Sequence, residues 1–161
     1  MDQPGHGHGA AVRFPPPILP IVTIVAGLLL GRFWPLGGGY ELPVPDRYVI
    51  GGAVAALAIL VLVIWPALLF KKTGQDPKPW TDTPEVVFDG PYRFTRNPMY
   101  LGMLVFCLGF AIILSEAWIL VLTPLCAWLI YHLAIRHEEA YLDQKFGEPY
   151  RDYCRKVRRW L

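Results

Sequence analysis

Two short stretches of this chain hold residue types that could do chemistry at a membrane surface. The first is GPYRFTRNPMYLG, Gly90–Gly102, a polar turn rich in Arg and aromatic residues that runs straight into an uncharged segment. Proline fits the first turn of a helix, where its missing N–H costs no hydrogen bond, so a helix is expected to start at Pro98 with Asn97 as its N-cap. Tyr92, Arg93, Arg96, Asn97 and Tyr100 then surround a helix N-terminus. Free N–H groups and partial positive charge make such a place suited to a carboxylate or phosphate. The same residues also fit a basic juxtamembrane loop with interfacial tyrosines.

The second stretch is WLIYHLAIRHEEAYLDQKF, which keeps a helical pattern while its composition turns charged at Arg136. His132, Arg136, Glu139 and Asp143 fall at i, i+4, i+7 and i+11, one helical face. Glu138 sits about 100° further round. The Glu138-Glu139 pair is therefore no two-carboxylate acid/base dyad aimed at one point. His132 lies inside the expected membrane boundary, where an ionisable group is costly and marks a functional candidate. It also fits an interfacial histidine bonded to a carbonyl, and Arg136–Glu139 also fits a solvated i,i+3 ion pair.

The elements that must position these residues read as membrane helices. The chain has 161 residues, 54% of them hydrophobic. Phe14–Gly31, Tyr48–Phe70, Pro98–Ser115 and Ala117–Ile135 carry no Asp, Glu, Lys or Arg over 18, 23, 18 and 19 residues. Each approaches or exceeds the length needed to cross a hydrocarbon core of about 30 Å. The expected fold is an all-α integral membrane protein with four transmembrane helices: about Ile18–Trp34, Asp46–Phe70, and then a helix 3–helix 4 hairpin closed by Ser115-Glu116. Ser115 is expected to cap the fourth helix, Pro66 to kink the second, and Gly147 and Pro149 to end the fourth. Small residues Gly51, Gly52, Ala53, Ala55 and Ala56 would let another helix come close. A short C-terminal helix, Tyr150–Trp160, is expected to lie along the cytoplasmic interface.

Lys71, Lys72, Lys78, Arg93 and Arg96 precede the third span, and seven Lys/Arg occupy residues 136–161, whereas residues 32–47 hold only Arg32 and Arg47. The positive-inside rule then places both termini and the two chemical stretches in the cytoplasm. Topology and anionic lipid account for the basic face, so no nucleic-acid partner is expected. Residues 1–17 read as a disordered tail and 18–161 as one membrane domain. His6 and His8 in that tail could bind a metal ion weakly, though two histidines in a floppy tail more often bind nothing, and no metal site is expected elsewhere. Cys107, Cys126 and Cys154 suggest no disulfide. Residues 73–97 carry Pro77, Pro79 and Pro84 and read as a loop, with Trp80, Phe88, Tyr92 and Phe94 suggesting something packed on a surface. Nothing in the sequence specifies an oligomer.

A hairpin would bring both stretches to one end of the molecule. Cations, carboxylates, aromatics and a helix N-terminus would converge there beside a lipid-exposed opening. Such a site fits a zwitterionic aromatic cofactor and a lipid-like second substrate.

Taken together and in order, GPYRFTRNPMYLG and EEAYLDQKFGEPYRDYCRKVRRWL, with TGQDPKPW upstream, resemble the isoprenylcysteine carboxyl methyltransferase and phospholipid methyltransferase superfamily, its small bacterial members in particular. The resemblance covers about Lys71–Leu161, which would be the catalytic region. It implies S-adenosyl-L-methionine-dependent methyl transfer without a Rossmann domain, in a bacterial inner membrane. Within it, Arg96, Pro98 and Tyr100 match the family's Arg-Pro-Tyr turn, and Glu138 and Glu139 its Glu-Glu element. These, with Tyr92, are the expected cofactor contacts. Arg136, His132 and Asn97 are the candidates on the acceptor side: Arg136 for an anionic group, His132 for a base if the acceptor must lose a proton. Isoprenylcysteine enzymes usually have His where this chain has Asn97, which still offers a donor and an acceptor. The implied partner is a membrane lipid or lipidated small-molecule acceptor. A non-catalytic membrane protein of the same fold, binding a lipid or small ligand, is the alternative. A transporter is disfavoured because no span carries a charge pair near its middle.

Overall fold

The computed structural model describes residues 15–36, 42–72, 74 and 86–161. His6, His8, Lys78, Trp80, Pro77, Pro79, Pro84, the TGQDPKPW segment apart from Gly74, and most of the 1–17 tail lie outside the described residues. Among the described residues every regular element is helical. Five helices follow in order: α1 (Ile18–Phe33), α2 (Val44–Lys72), α3 (Pro98–Leu114), α4 (Ala117–Phe146) and α5 (Glu148–Lys156).

Helices α2 and α4 are long and apolar enough to cross a membrane, at 29 and 30 residues. At 16 and 17 residues, α1 and α3 are shorter. The large apolar side chains face outward: Ile21, Val25, Val49, Leu60, Leu125 and Trp128 are all exposed. Moving one such side chain from water to hydrocarbon gains about 1.5–3 kcal/mol. So many left in water would outweigh a typical folding stability of about 5–15 kcal/mol. A hydrocarbon solvent removes that conflict, and contiguous apolar surface of this extent marks a membrane contact.

The contact between α2 and α3 is built on small residues. α3 packs most extensively on α2, α1 packs on α4, and α3 also touches α4. A Cβ on Gly51 would lie 2.7 Å from the Gly109 carbonyl oxygen, and one on Gly109 would lie 2.8 Å from the Ala55 nitrogen. The backbones of α2 and α3 therefore meet where the sequence placed its small residues.

Both long helices contain a π stretch, Ala58–Ile64 in α2 and Tyr131–Ile135 in α4. The first lies just before Pro66, whose ring and missing N–H disturb the regular ladder upstream of it. The second was not expected, and it alters which residues of α4 share a face. Between α3 and α4, Ser115 takes the left-handed conformation (φ 50, ψ 43) and does not cap. Glu116 caps instead, its carboxylate accepting the Trp118 N–H at 3.2 Å. Gly147 (φ 59) ends α4 as expected. The last helix runs from Glu148 to Lys156, not from Tyr150 to Trp160. Beyond it the chain folds back onto the Gly90–Pro98 turn, and Trp160 packs against a core of Tyr100, Cys126, Ile130, Ala134 and Ile135.

Candidate active site

Gly90–Arg93 forms a single 3-10 turn where a plain loop was expected. Gly90 has φ 60, and a Cβ there would meet the Leu69 side chain at 2.9 Å, so the turn needs glycine to sit against α2. The turn drives Tyr92 inward, where it is 6% exposed and meets Phe70 edge-on. Tyr153 of α5 donates its hydroxyl to the Tyr92 carbonyl at 2.7 Å and packs against Phe88. Burial pushes the Tyr92 and Tyr153 hydroxyls well above the usual tyrosine range, so both stay protonated donors.

The C-terminal segment is tied to this turn through its main-chain carbonyls. The Arg96 N–H donates to the Arg158 carbonyl at 3.0 Å. Thr95 Oγ and Asn97 Nδ2 both donate to the Arg159 carbonyl, at 3.0 and 3.2 Å. Asn97 occupies the cap position of α3, but its side chain makes no capping bond. It is spent on Arg159 instead, which is why Asn is needed there for a reason local propensity does not reveal. Pro98 begins α3 and is fully buried.

Glu139 is the point where these elements meet. Arg159 grips it with two hydrogen bonds, Nε–Oε1 at 2.9 Å and Nη2–Oε2 at 2.8 Å. Arg96 Nη1 lies 3.3 Å from Oε1. Planar guanidinium and carboxylate groups match in this bidentate form. The Arg159 guanidinium also lies 4.9 Å above the Tyr131 ring. Arg96 Nη1 reaches Cys154 Sγ, while Arg96 Nε is buried with no partner among the described residues.

Beside Glu139 opens a cavity of about 570 Å³, lined by Arg96, Tyr131, Arg136, Glu139, Ala140, Asp143, Tyr150, Arg151, Cys154 and Arg155. Its ion pairs are mostly internal. Arg151 holds Asp143 at 2.7 Å and keeps that carboxyl below the usual range, chiefly through the hydrogen bond. Arg155 pairs with Glu148 at 2.6 Å and with Asp152. Arg136 is the exception: among the described residues it meets no carboxylate, and its Nε donates to His137 Nε2 at 3.3 Å.

Of the residues singled out by sequence, Arg96, Arg136 and Glu139 come together on this cavity, with Asp143 beside them. Tyr92, Asn97, Pro98, Tyr100 and Glu138 do not line it; the first four are buried and Glu138 is half-buried. Glu138 points inward, accepting a hydrogen bond from the Tyr100 hydroxyl. Burial raises its carboxyl to about 7, opposed by that hydrogen bond and reinforced by the charge of Glu139. His132 does not line the cavity. It sits between the rings of Trp128 and Tyr131, at 4.5 and 4.9 Å between centroids. The expectation of one face through His132, Arg136, Glu139 and Asp143 assumed a regular helix, and the π stretch at Tyr131–Ile135, which turns less per residue than an α-helix, offsets the first from the rest.

Sequence reasoning did not single out Tyr131, Tyr150, Cys154 or Arg159. The spacing Tyr150, Tyr153, Cys154 marks one face of α5 and was available as a signal. Arg159 was not, because nothing local says that the chain after Lys156 turns back.

Residues 47–149 match the model of a family described as phospholipid methyltransferase. The chain is 36% identical over 72 residues to the protein-S-isoprenylcysteine O-methyltransferase of Schizosaccharomyces pombe, covering 45% of this chain and 30% of that one. It is 32% identical over 78 residues to the probable protein-S-isoprenylcysteine O-methyltransferase of Oryza sativa subsp. indica, covering 48% and 41%. It is 43% identical over 65 residues to an uncharacterized protein of Haemophilus influenzae, covering 39% of this chain and all of that protein. The match therefore spans less than half the length of the named methyltransferase relatives. No solved structure matches.

Proposed function

This chain belongs to the phospholipid methyltransferase family, and on that premise we propose that it transfers a methyl group from S-adenosylmethionine to an anionic, membrane-embedded acceptor. The observation that carries this reading is the cavity at the charged end of α4, where Glu139 and Arg96 stand side by side and Arg136 has no carboxylate partner among the described residues. A cavity of about 570 Å³ lies in the range that holds cofactor-sized ligands. Arg96 Nε, buried with no partner among the described residues, supports the reading of a site that a polar ligand completes.

Glu139 would hold the cofactor's ammonium or ribose hydroxyls, and Arg96 its carboxylate. Tyr131 and Tyr150 offer aromatic surface for the adenine or the sulfonium. When bound, the cofactor supplies an already activated methyl group. The protein's own task is then to align the acceptor, keep water out and neutralise charge. Tyr92, Asn97, Pro98, Tyr100 and Glu138 form the frame behind the two cofactor-binding residues.

Arg136 would take the acceptor's anionic group. Arg136, which meets no carboxylate among the described residues, favours an acceptor that carries an anionic group, and a carboxylate nucleophile meets that requirement. A carboxylate needs no base, so His132 need not act as one. Its place beside the exposed Trp128 fits the lipid-facing flank by which an acceptor would arrive. The proposal includes four spans, α1 and α3 completing the pair that α2 and α4 provide, with both termini and the cavity cytoplasmic in a bacterial inner membrane. Lys71, Lys72 and the basic C-terminal region support that orientation.

Calorimetry on the detergent-solubilised chain tests the cofactor assignment. Saturable binding of S-adenosylhomocysteine is expected. A well-folded protein that binds neither it nor S-adenosylmethionine would leave a non-catalytic membrane protein as the better reading.

A further inference from the structure

Within the proposed site, Glu139 must face the cavity, yet the packing of α4 does not by itself fix that direction. The π stretch Tyr131–Ile135 separates the charged end of α4 from the part packed on α1 and α3. Beyond it, no residue of Arg136–Phe146 is fully buried. Only Tyr141 leans on the edge of the core. A segment so loosely held could turn about its axis, and a rotation of one residue, about 100°, would carry Glu139 off the cavity.

Polar contacts supply what packing does not. Glu138 and Glu139 are neighbours pointing about 100° apart. Glu139 is held from outside by Arg159 and Arg96. Glu138 is held from inside by Tyr100, in the first turn of α3, where Tyr100 is 6% exposed and part of the core. Arg96 lies only four residues before Tyr100. The contacts of Glu139, and that of Asp143 on the same face with Arg151, act at one azimuth, and the Tyr100 contact at another removes the rotation. We propose, resting on the reading of the cavity as the cofactor site, that the Tyr100–Glu138 hydrogen bond is a rotational clamp. Glu138 is thereby a positioning residue that acts on Glu139 through Tyr100 and does not touch the ligand.

The clamp is testable without any ligand. Cys154 lines the cavity beside Arg96, whereas Cys107 and Cys126 are 0% and 1% exposed, so alkylation by a water-soluble maleimide reports on the cavity through Cys154. The solubilised full chain is compared with Tyr100→Phe, Glu138→Ala, Glu138→Gln and the double variant Tyr100→Phe/Glu138→Ala. Loss of a hydrogen bond to a carboxylate predicts alkylation about tenfold faster in Tyr100→Phe and in Glu138→Ala. The double variant should be no faster than Glu138→Ala, because both changes remove one contact. Glu138→Gln, which still accepts from Tyr100, should recover most of the difference. The affinity for S-adenosylhomocysteine should follow the same pattern across the set. Additive effects in the double variant, a Glu138→Gln as fast as Glu138→Ala, or wild-type rates throughout would each overturn the clamp. If wild type binds no S-adenosylhomocysteine, the functional reading fails on its own, and the alkylation pattern still decides the clamp.

Discussion

Glu138 gives this protein a pH-dependent stability whose sign follows from its surroundings. The residue as a whole is partly covered, but its carboxyl is enclosed, facing Tyr100 of α3 and Tyr92 of the 3-10 turn, with Glu139 next to it on α4. Burial raises it from 4.5 to about 7 in the folded chain. Between those two values the folded state keeps a proton that the unfolded state has lost, so stability falls as pH rises through the window and levels off above it. A gap of about 2.5 units corresponds to roughly 3 kcal/mol in total, of which about 2.5 kcal/mol is lost between pH 5 and pH 8. Glu138→Gln has no proton to lose. Equilibrium unfolding in mixed detergent micelles, run at pH 5, 6, 7 and 8 for wild type and Glu138→Gln, isolates the effect. Contributions from groups that do not touch Glu138 cancel in the difference. The stability of Glu138→Gln relative to wild type should climb by about 2.5 kcal/mol from pH 5 to pH 8. A flat difference, or one of opposite sign, would show that Glu138 is solvated in the folded protein and that the inward-facing carboxyl is wrong.

Glu139→Ala should reduce affinity for S-adenosylhomocysteine by at least about a hundredfold, since it removes a charged contact and leaves Arg96 and Arg159 without a shared carboxylate; calorimetry showing a change within threefold would remove Glu139 from the cofactor site. Arg136→Ala should raise the acceptor KM about tenfold or more with cofactor affinity within a few-fold, and Lys should restore it only in part, because it lacks the bidentate fork; equal loss of cofactor would move Arg136 out of the acceptor role. Gly109→Val should destabilise the bundle by about 1–3 kcal/mol or more, because its side chain would overlap the Ala55 backbone, as thermal unfolding in detergent would show.

Hydropathy and charge marked the helices because a lipid-facing helix must be apolar whatever its neighbours are. That is why Ala117–Ile135 and Tyr48–Phe70 were visible as uncharged runs. The small residues of α2 were equally legible, since close backbone approach leaves few residue types possible at Gly51, whereas its partner Gly109 on α3 was not singled out. Local turn chemistry was less readable. Ser115 and Asn97 both suit helix caps, yet Ser115 sits in a left-handed turn and Asn97 bonds the Arg159 carbonyl 62 residues away. The π stretch in α4 left no signal in the apolar pattern, so the inference of one face failed at His132 while holding for Arg136, Glu139 and Asp143. Arg159 was out of reach because its role depends on a chain reversal after Lys156, and only the tertiary fold brings it to Glu139.

The most direct test of the functional proposal is methyl transfer itself. Purified full-length protein would be incubated with S-adenosylmethionine carrying a labelled methyl group and with total membrane lipid extract, beside Glu139→Ala as the control. Label entering the organic phase in an ester that mild base releases as methanol is expected, with Glu139→Ala inactive. Base-stable label on an amine headgroup would contradict the carboxylate acceptor, and no transfer to any lipid or lipidated fraction by protein that binds the cofactor would contradict the membrane-embedded acceptor altogether.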